Sequence, residues 1–292
     1  MTREPDPDDR SRLPIVLIAL VVLAAVAYFG WRYYQDRQAP APVEPPVAAA
    51  PAAPPAPAEP APAAPPTIQH PVEPPVAEPS ASPAPLPALA DADPYVSDHL
   101  AELLGRPNAL RFLQLDGFIK RAVATVDNLG RSHAPVLMWP VTPTPGRFAS
   151  AKAADGATET IAPDNSARYT PFVQFAESVD TGRAVALYRR LYPLFQQAYE
   201  ELGFPGRYFN DRLVQVLDQL IATPVPAAPP AVALVQVKGE VPSTRPWVRY
   251  EYADPQLEAL SAGQKILLRM GPGNQRRLQA KLVDVRGRVA RR

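Results

Sequence analysis

"LYRRLYPLFQQAYEELGFPGRYFNDR", residues 187–212, decides whether the chain builds a helical body or displays an aromatic surface. Starting just upstream, Ala184, Tyr188, Leu191, Phe195, Ala198 and Leu202 follow alternating steps of four and three, with Val185, Tyr192 and Tyr199 alongside. Arg189, Arg190, Gln196, Gln197, Glu200 and Glu201 fall on the other side. That spacing predicts an amphipathic helix over about 180–202 with a wide apolar stripe. Pro193 removes one intrahelical hydrogen bond and presses on the carbonyl of Arg189, so a kink is expected there. The next helix, about 207–222, repeats the logic with Phe209, Leu213, Val216, Leu217 and Leu220. A bundle core accounts for most of these aromatics. The competing reading is a binding face, with Arg189 and Arg190 as its probes.

Upstream, "DPYVSDHLAELLG" carries Asp93 as N-cap, Pro94 in the first turn and Gly105 as a stop. "RPNALRFLQLDGFIKRAVATVDNLG" predicts a second long helix, or a pair broken near Gly117. "HAPVLMWPVTPTPG" is held extended by its prolines. "RFASAKAADGATETIAP" centres on Asp155-Gly156, a hairpin signal. A further helix is expected over about 166–178. After the breaker "TPVPAAPP" come two strand-like runs, "AVALVQVK" and "PWVRYEYA", then helices opening at Asp254, Ser261 and about Gly273. The fold class is mainly α, a compact helical domain over 88–292 with one or two small β-hairpins.

Three stretches also resemble a known family. "ALYRRLYPLFQQAYEELGFPGRYFNDRLVQVLDQLIATP" and "YEYADPQLEALSAGQKILLRMGPGNQRRLQAKL" look like the two signature blocks of an uncharacterised proteobacterial family, the domain of unknown function numbered 3014. "RFLQLDGFIKRAVATVDNLGR" is similar to its opening block. The resemblance covers about residues 90–285. It implies a bacterial protein anchored in the inner membrane, and it brings no catalytic residues.

Ahead of the domain, composition changes twice. Residues 39–87 hold 19 of the chain's 40 prolines, four Glu and no Lys or Arg. Proline fixes φ and lacks an N–H, so 35–87 reads as a disordered, polyproline-II-rich Pro/Ala linker. At about 3.1 Å per residue it could reach on the order of 150 Å. "PVEPPVA" occurs twice in it, at 42–48 and 71–77. A spacer is the plain reading, and a PxxP-type ligand for an SH3-like groove is the functional one.

Before the linker, "LPIVLIALVVLAAVAYFGW" (13–31) has no charge and, as a helix, spans a bilayer's hydrocarbon core of about 30 Å. Tyr28, Trp31, Tyr33 and Tyr34 mark the membrane interface. A transmembrane helix over 13–34 therefore follows a cytoplasmic tail at 1–12. Arg3, Arg10 and Arg12 precede it against Arg32 and Arg37 after it, which biases the domain to the periplasm. The small-x-small pattern at Ala25–Ala27 keeps signal-peptide cleavage open.

Chemistry is narrowly bounded. With no cysteine there are no disulfides, thiolate nucleophiles or zinc ribbons. The three histidines are scattered, so no metal site or cofactor is expected. A formal net charge of +1 disfavours nucleic acid as a partner. Glu177-Ser178 in "VQFAESVD" is similar to the Glu-Ser pair of lytic transglycosylases, without their companion motif. Glu200, Glu201, Asp211 and Asp218 read as solvated or capping acids. "RMGPGNQRR" reads as a helix stop and restart; it could also cradle an anion, although it lacks the Lys-Ser/Thr of a phosphate loop and a preceding strand. The basic end, with Arg276, Arg277 and Lys281, could attract an anionic lipid, wall polymer or acidic protein.

The expected protein is a single-pass component of the bacterial inner membrane, presenting a helical binding or scaffolding domain on a proline-rich spacer. Its partner would be an envelope protein or cell-wall polymer. The alternative is a peptidoglycan-modifying enzyme using Glu177. Oligomeric state is open.

Overall fold

The computed structural model describes residues 67–72, 85–235 and 245–290, all within the unit that spans 64–292. The N-terminal tail, the apolar span with Tyr28, Trp31, Tyr33 and Tyr34, and most of the linker lie outside the described residues. Among the described residues, no helix is long and apolar enough to cross a membrane.

The chain enters through a 3-10 turn at Leu89–Asp91 and then forms α1 (Asp93–Leu104), α2 (Arg106–Phe112) and α3 (Phe118–Leu129). A hairpin follows, β1 (Ser150–Lys152) antiparallel to β2 (Glu159–Ile161). Three long helices come next: α4 (Asp164–Ser178), α5 (Thr181–Glu201) and α6 (Phe209–Ile221). A second hairpin pairs β3 (Val232–Leu234) with β4 (Tyr250–Tyr252). The chain closes with α7 (Pro255–Glu258), α8 (Ala262–Arg269) and α9 (Pro272–Val289). The two hairpins are stitched by a bridge between Thr160 and Ala231, and Ile161, Val232 and Tyr252 set them on Leu268 of α8.

Helix α6 lies at the centre, in contact with α3, α5, α8 and α9. Its wide apolar stripe explains why. Phe209 joins a core with Ile119, Val123, Leu191 and Phe195; Val216 and Leu220 meet Val173 and Leu267; Val214 and Leu217 meet Val185 and Val289. Three clusters thus share one helix. The aromatics of the opening stretch are core: Tyr192, Phe195, Tyr199 and Phe209 are buried, with Phe195 and Phe209 stacked at 5.8 Å.

Helix α5 continues through Pro193, which sits on the exposed side, and α4 likewise contains Pro171. Other expectations need correction. Leu194 is buried while Leu202, the last residue of the expected stripe, is 42% exposed. Asp93 does not cap its own helix: its carboxylate accepts the N–H of Gly117 (2.9 Å), tying the start of α1 to the start of α3. The expected break near Gly117 is there, with that glycine left-handed at φ 62° ahead of α3. Ser261 does open α8, through a reciprocal capping box with Gln264.

"GPGNQ" stops α8 and restarts the chain as α9, and its Asn and Gln clasp neighbouring segments. Gly271 stands at φ 80° with the Ser166 hydroxyl where a Cβ would go. Asn274 donates to the Ser166 carbonyl (2.7 Å) of α4, and Gln275 to the Pro224 carbonyl (2.9 Å). One turn on, Gln279 donates to the carbonyls of Ile221 and Thr223 at 3.0 and 2.9 Å. The unpaired carbonyls at the C-terminal end of α6 are thereby satisfied by amides from α9.

Candidate peptide-docking site

Six residues that composition assigns to the linker, 67–72, lie against the domain at the N-terminus of α6. A helix start exposes N–H groups that need acceptors. Here α5 supplies them: Gln196 Oε1 accepts the Phe209 N–H (2.9 Å) and the Tyr192 hydroxyl accepts that of Asn210 (3.3 Å). With the first two of these N–H groups satisfied from behind, the side chains of Tyr208, Asn210 and Asp211 meet the linker.

They read its backbone. The Asp211 carboxylate accepts the N–H of Gln69 (3.0 and 3.2 Å) and of His70 (2.6 Å). The Tyr208 hydroxyl accepts the N–H of Val72 (2.8 Å), and Asn210 Nδ2 donates to the His70 carbonyl (2.9 Å). Between these contacts stands Pro71, the one residue of the run with no N–H to satisfy. The Val72 side chain packs on the core cluster around Tyr192 and Phe209. Asp211, expected to be a solvated or capping acid, is therefore an acceptor for the chain's own linker, and its charge is also favourable in the first turn of a helix.

Asn210 is completely buried and joins four segments. Its Oδ1 accepts from the Tyr188 hydroxyl of α5 (2.9 Å), while its Nδ2 also reaches the Val289 carbonyl at the end of α9 (3.0 Å). Burial raises the pKa of Tyr188 and Tyr192 far above the ordinary phenol range, and Tyr252 behaves likewise under the hairpins. These hydroxyls stay protonated as donors. In the unfolded chain the same phenols ionise near pH 10. A group whose folded pKa is raised contributes stability that is complete below the unfolded value and is lost as pH rises above it. Each such tyrosine should cost about 1.4 kcal/mol per pH unit in that range. Denaturation midpoints should therefore fall steeply above about pH 10; a flat profile would contradict the buried-phenol network.

The other sequence candidates are distributed elsewhere. Glu177, at the end of α4, is partly exposed and held by Arg277, whose Nε donates to Oε1 at 2.9 Å and whose Nη2 donates to Oε2. That hydrogen bond keeps the carboxyl below its usual pKa. Lys281 joins them, donating to the carbonyls of Glu177 and Val179. Arg286 is bidentate to Asp218 (2.9 and 3.2 Å) and Arg288 pairs with Asp284 (2.8 Å). The basic end is thus largely committed to the domain's own carboxylates and carbonyls, while Arg276 is exposed.

Arg189 donates to the Arg288 carbonyl (3.1 Å), and the two line a shallow groove of about 180 Å³ with Val185 and Ala186. That is below the roughly 300–1,000 Å³ of typical small-molecule sites. Arg190 is a poor external probe: it is half-buried with its guanidinium 5.5 Å from the Tyr95 ring centroid. Glu200 and Glu201 accept from Gln196 and Gln197 on their own helix. Among the described residues, no group of His, Asp or Glu is placed to hold a metal ion.

Sequence reasoning missed the polar core. Asp127 is 5% exposed yet binds Arg212 (3.0 Å) and Arg131 (2.8 Å), locking α3 to α6. Asn210, Asn274 and Gln275 are also buried. Their polarity masks them in an apolar periodicity.

The family described as "Protein of unknown function (DUF3014)" matches residues 118–286, more than half of the chain. The chain belongs to the DUF3014 family. The matched region runs from the start of α3 into α9 and so contains Tyr208, Asn210 and Asp211, while the seated linker segment lies outside it. Comparison with curated proteins and with solved structures gave no match.

Proposed function

We propose that this DUF3014 protein is a single-pass component of the bacterial inner membrane that presents a helical binding or scaffolding domain in the periplasm on its proline-rich tether. One observation carries the binding half of this reading: the domain keeps an array of side chains, Tyr208, Asn210 and Asp211, whose partners are the backbone groups of an extended segment. The location half rests on the uncharged run at 13–31 and its flanking aromatics and arginines. An envelope protein fits the array better than a wall polymer, because the array seats an extended segment with proline at the one position that needs no N–H.

The enzymatic alternative through Glu177 has less support. A general acid at neutral pH needs a raised pKa and an enclosing cleft. Glu177 has a lowered one and a guanidinium across it on an accessible surface.

Alkaline phosphatase matures only outside the cytoplasm, so a fusion after Arg292 is expected to be active, and crosslinking in envelope fractions to capture a discrete protein. An inactive fusion paired with a fluorescent cytoplasmic reporter at the same site would overturn the location. Crosslinks confined to wall fragments would overturn the choice of a protein partner.

A further inference from the structure

We infer that the site at the N-terminus of α6 is a recognition cradle for an extended peptide of the pattern amide–amide–proline–apolar, and that residues 69–72 are its resident, displaceable occupant. The inference deepens the binding reading above by naming the class of partner: a protein segment of that pattern, entering where the tether now lies.

The pattern comes from the contacts. Asp211 takes the two N–H groups before the proline, Tyr208 takes the one after it, and Asn210 donates to the carbonyl that precedes the proline. Proline occupies the one place where a missing N–H costs nothing, and it biases the preceding residue towards the extended conformation. The residue after it needs an apolar side chain, since Val72 packs on the core cluster. A carboxylate bridging successive N–H groups is a charge-assisted acceptor, stronger than a neutral one. This differs from the aromatic slots that read PxxP ligands: one apolar contact is used, and the main chain supplies the rest.

The tether's own sequence shows that the cradle discriminates. Pro-Val occurs in it at 42–43, 46–47, 71–72 and 75–76. Pro42 has Pro40 two residues before it, and Pro46 and Pro75 each follow another proline, so those three lack a required N–H. Pro40, Pro51, Pro60, Pro79 and Pro83 have the amides but are followed by Ala or Ser, which lack the branched side chain that Val72 packs on the core, and Pro45, Pro54, Pro65 and Pro74 are followed by a proline with no N–H for Tyr208. Pro71 alone meets both conditions, and it is the proline that is seated. The duplicated "PVEPPVA" therefore does not offer two equal occupants.

Displacement follows from the kind of contact. Gln69 and Pro71 are exposed, and His70 and Val72 only half-buried, so the segment can leave without opening the core. A short connection through 73–84 gives the resident segment an effective concentration in the millimolar range. A partner segment must match the pattern better or arrive at high local concentration. Its arrival would release residues 69–72 from the domain.

The test uses the full-length chain in mild detergent and a fluorescent peptide of residues 66–73, "PTIQHPVE". His70→Pro with Val72→Pro removes two of the donated N–H groups and vacates the cradle. The vacated chain should bind the peptide at least about tenfold more tightly than the wild-type chain, by the effective-concentration argument. Adding Asp211→Ala should weaken that binding by about tenfold or more. In the unsubstituted chain, excess peptide should speed hydrogen exchange at the Gln69, His70 and Val72 amides, and a peptide with proline in place of the glutamine should not. Equal peptide binding by wild-type and vacated chains, or exchange unaffected by excess peptide, would overturn the cradle. Failure here with a protein still captured in the crosslinking experiment would leave the scaffolding reading intact and remove only this site from it.

Discussion

Phe209→Ala is expected to destabilise the domain by about 3–5 kcal/mol, the cost of removing a buried aromatic ring and leaving its cavity. Phe209 is 1% exposed, stacks on Phe195 at 5.8 Å and meets Tyr199 at 5.5 Å. It also sits in the first turn of α6, beside Asn210 and Asp211. Collapse of the cavity is resisted because α3 and α5 both pack around it. Chemical-denaturation midpoints of the full-length chain would measure the loss. An unchanged midpoint would mean that the stretch 187–212 is not the centre of the core.

Asn210→Ala should have the second largest effect, about 2–4 kcal/mol, by a different mechanism. Nothing large is removed, but the Tyr188 hydroxyl, the His70 carbonyl and the Val289 carbonyl each lose a partner. A buried polar group left unpaired costs about 1–3 kcal/mol, and such losses within one network do not add simply. Tyr208→Phe is the contrast. It removes the acceptor of one half-buried N–H, so about 1.5 kcal/mol or less is expected. Both substitutions should speed proteolysis within 67–72, whereas Phe209→Ala should act on the whole domain. If Asn210→Ala costs no more than Tyr208→Phe, Asn210 does not join its four segments in the way the hydrogen bonds indicate.

Much of the architecture was legible in the chain. Apolar period, caps and breakers placed α4, α5 and α6 within a few residues of where they lie, and Asp155-Gly156 marked the first hairpin. These signals are local: they depend on residues three or four apart and on backbone preferences that act before tertiary contacts form. The same logic failed where a side chain serves another segment. Asp93 reads as a cap for its own helix and serves Gly117 instead. "GPGNQ" reads as a helix stop and restart, which it is, but its Asn and Gln also close on α4 and on the residues after α6.

The candidate site shows the division most sharply. The sequence by itself determined that 187–222 forms two amphipathic helices and that no thiol or zinc-ribbon chemistry is available. Only the tertiary structure decided that Tyr208, Asn210 and Asp211 meet His70 and Val72, more than 130 residues earlier in the chain. The physical reason is that a buried Asn, a first-turn Asp and a tyrosine hydroxyl have no intrinsic partner. Each looks locally like a cap, a solvated acid or a core aromatic until the fold brings a donor or acceptor within about 3 Å. Periodicity shows which residues turn inward, but what a polar side chain finds there is a property of the packed molecule.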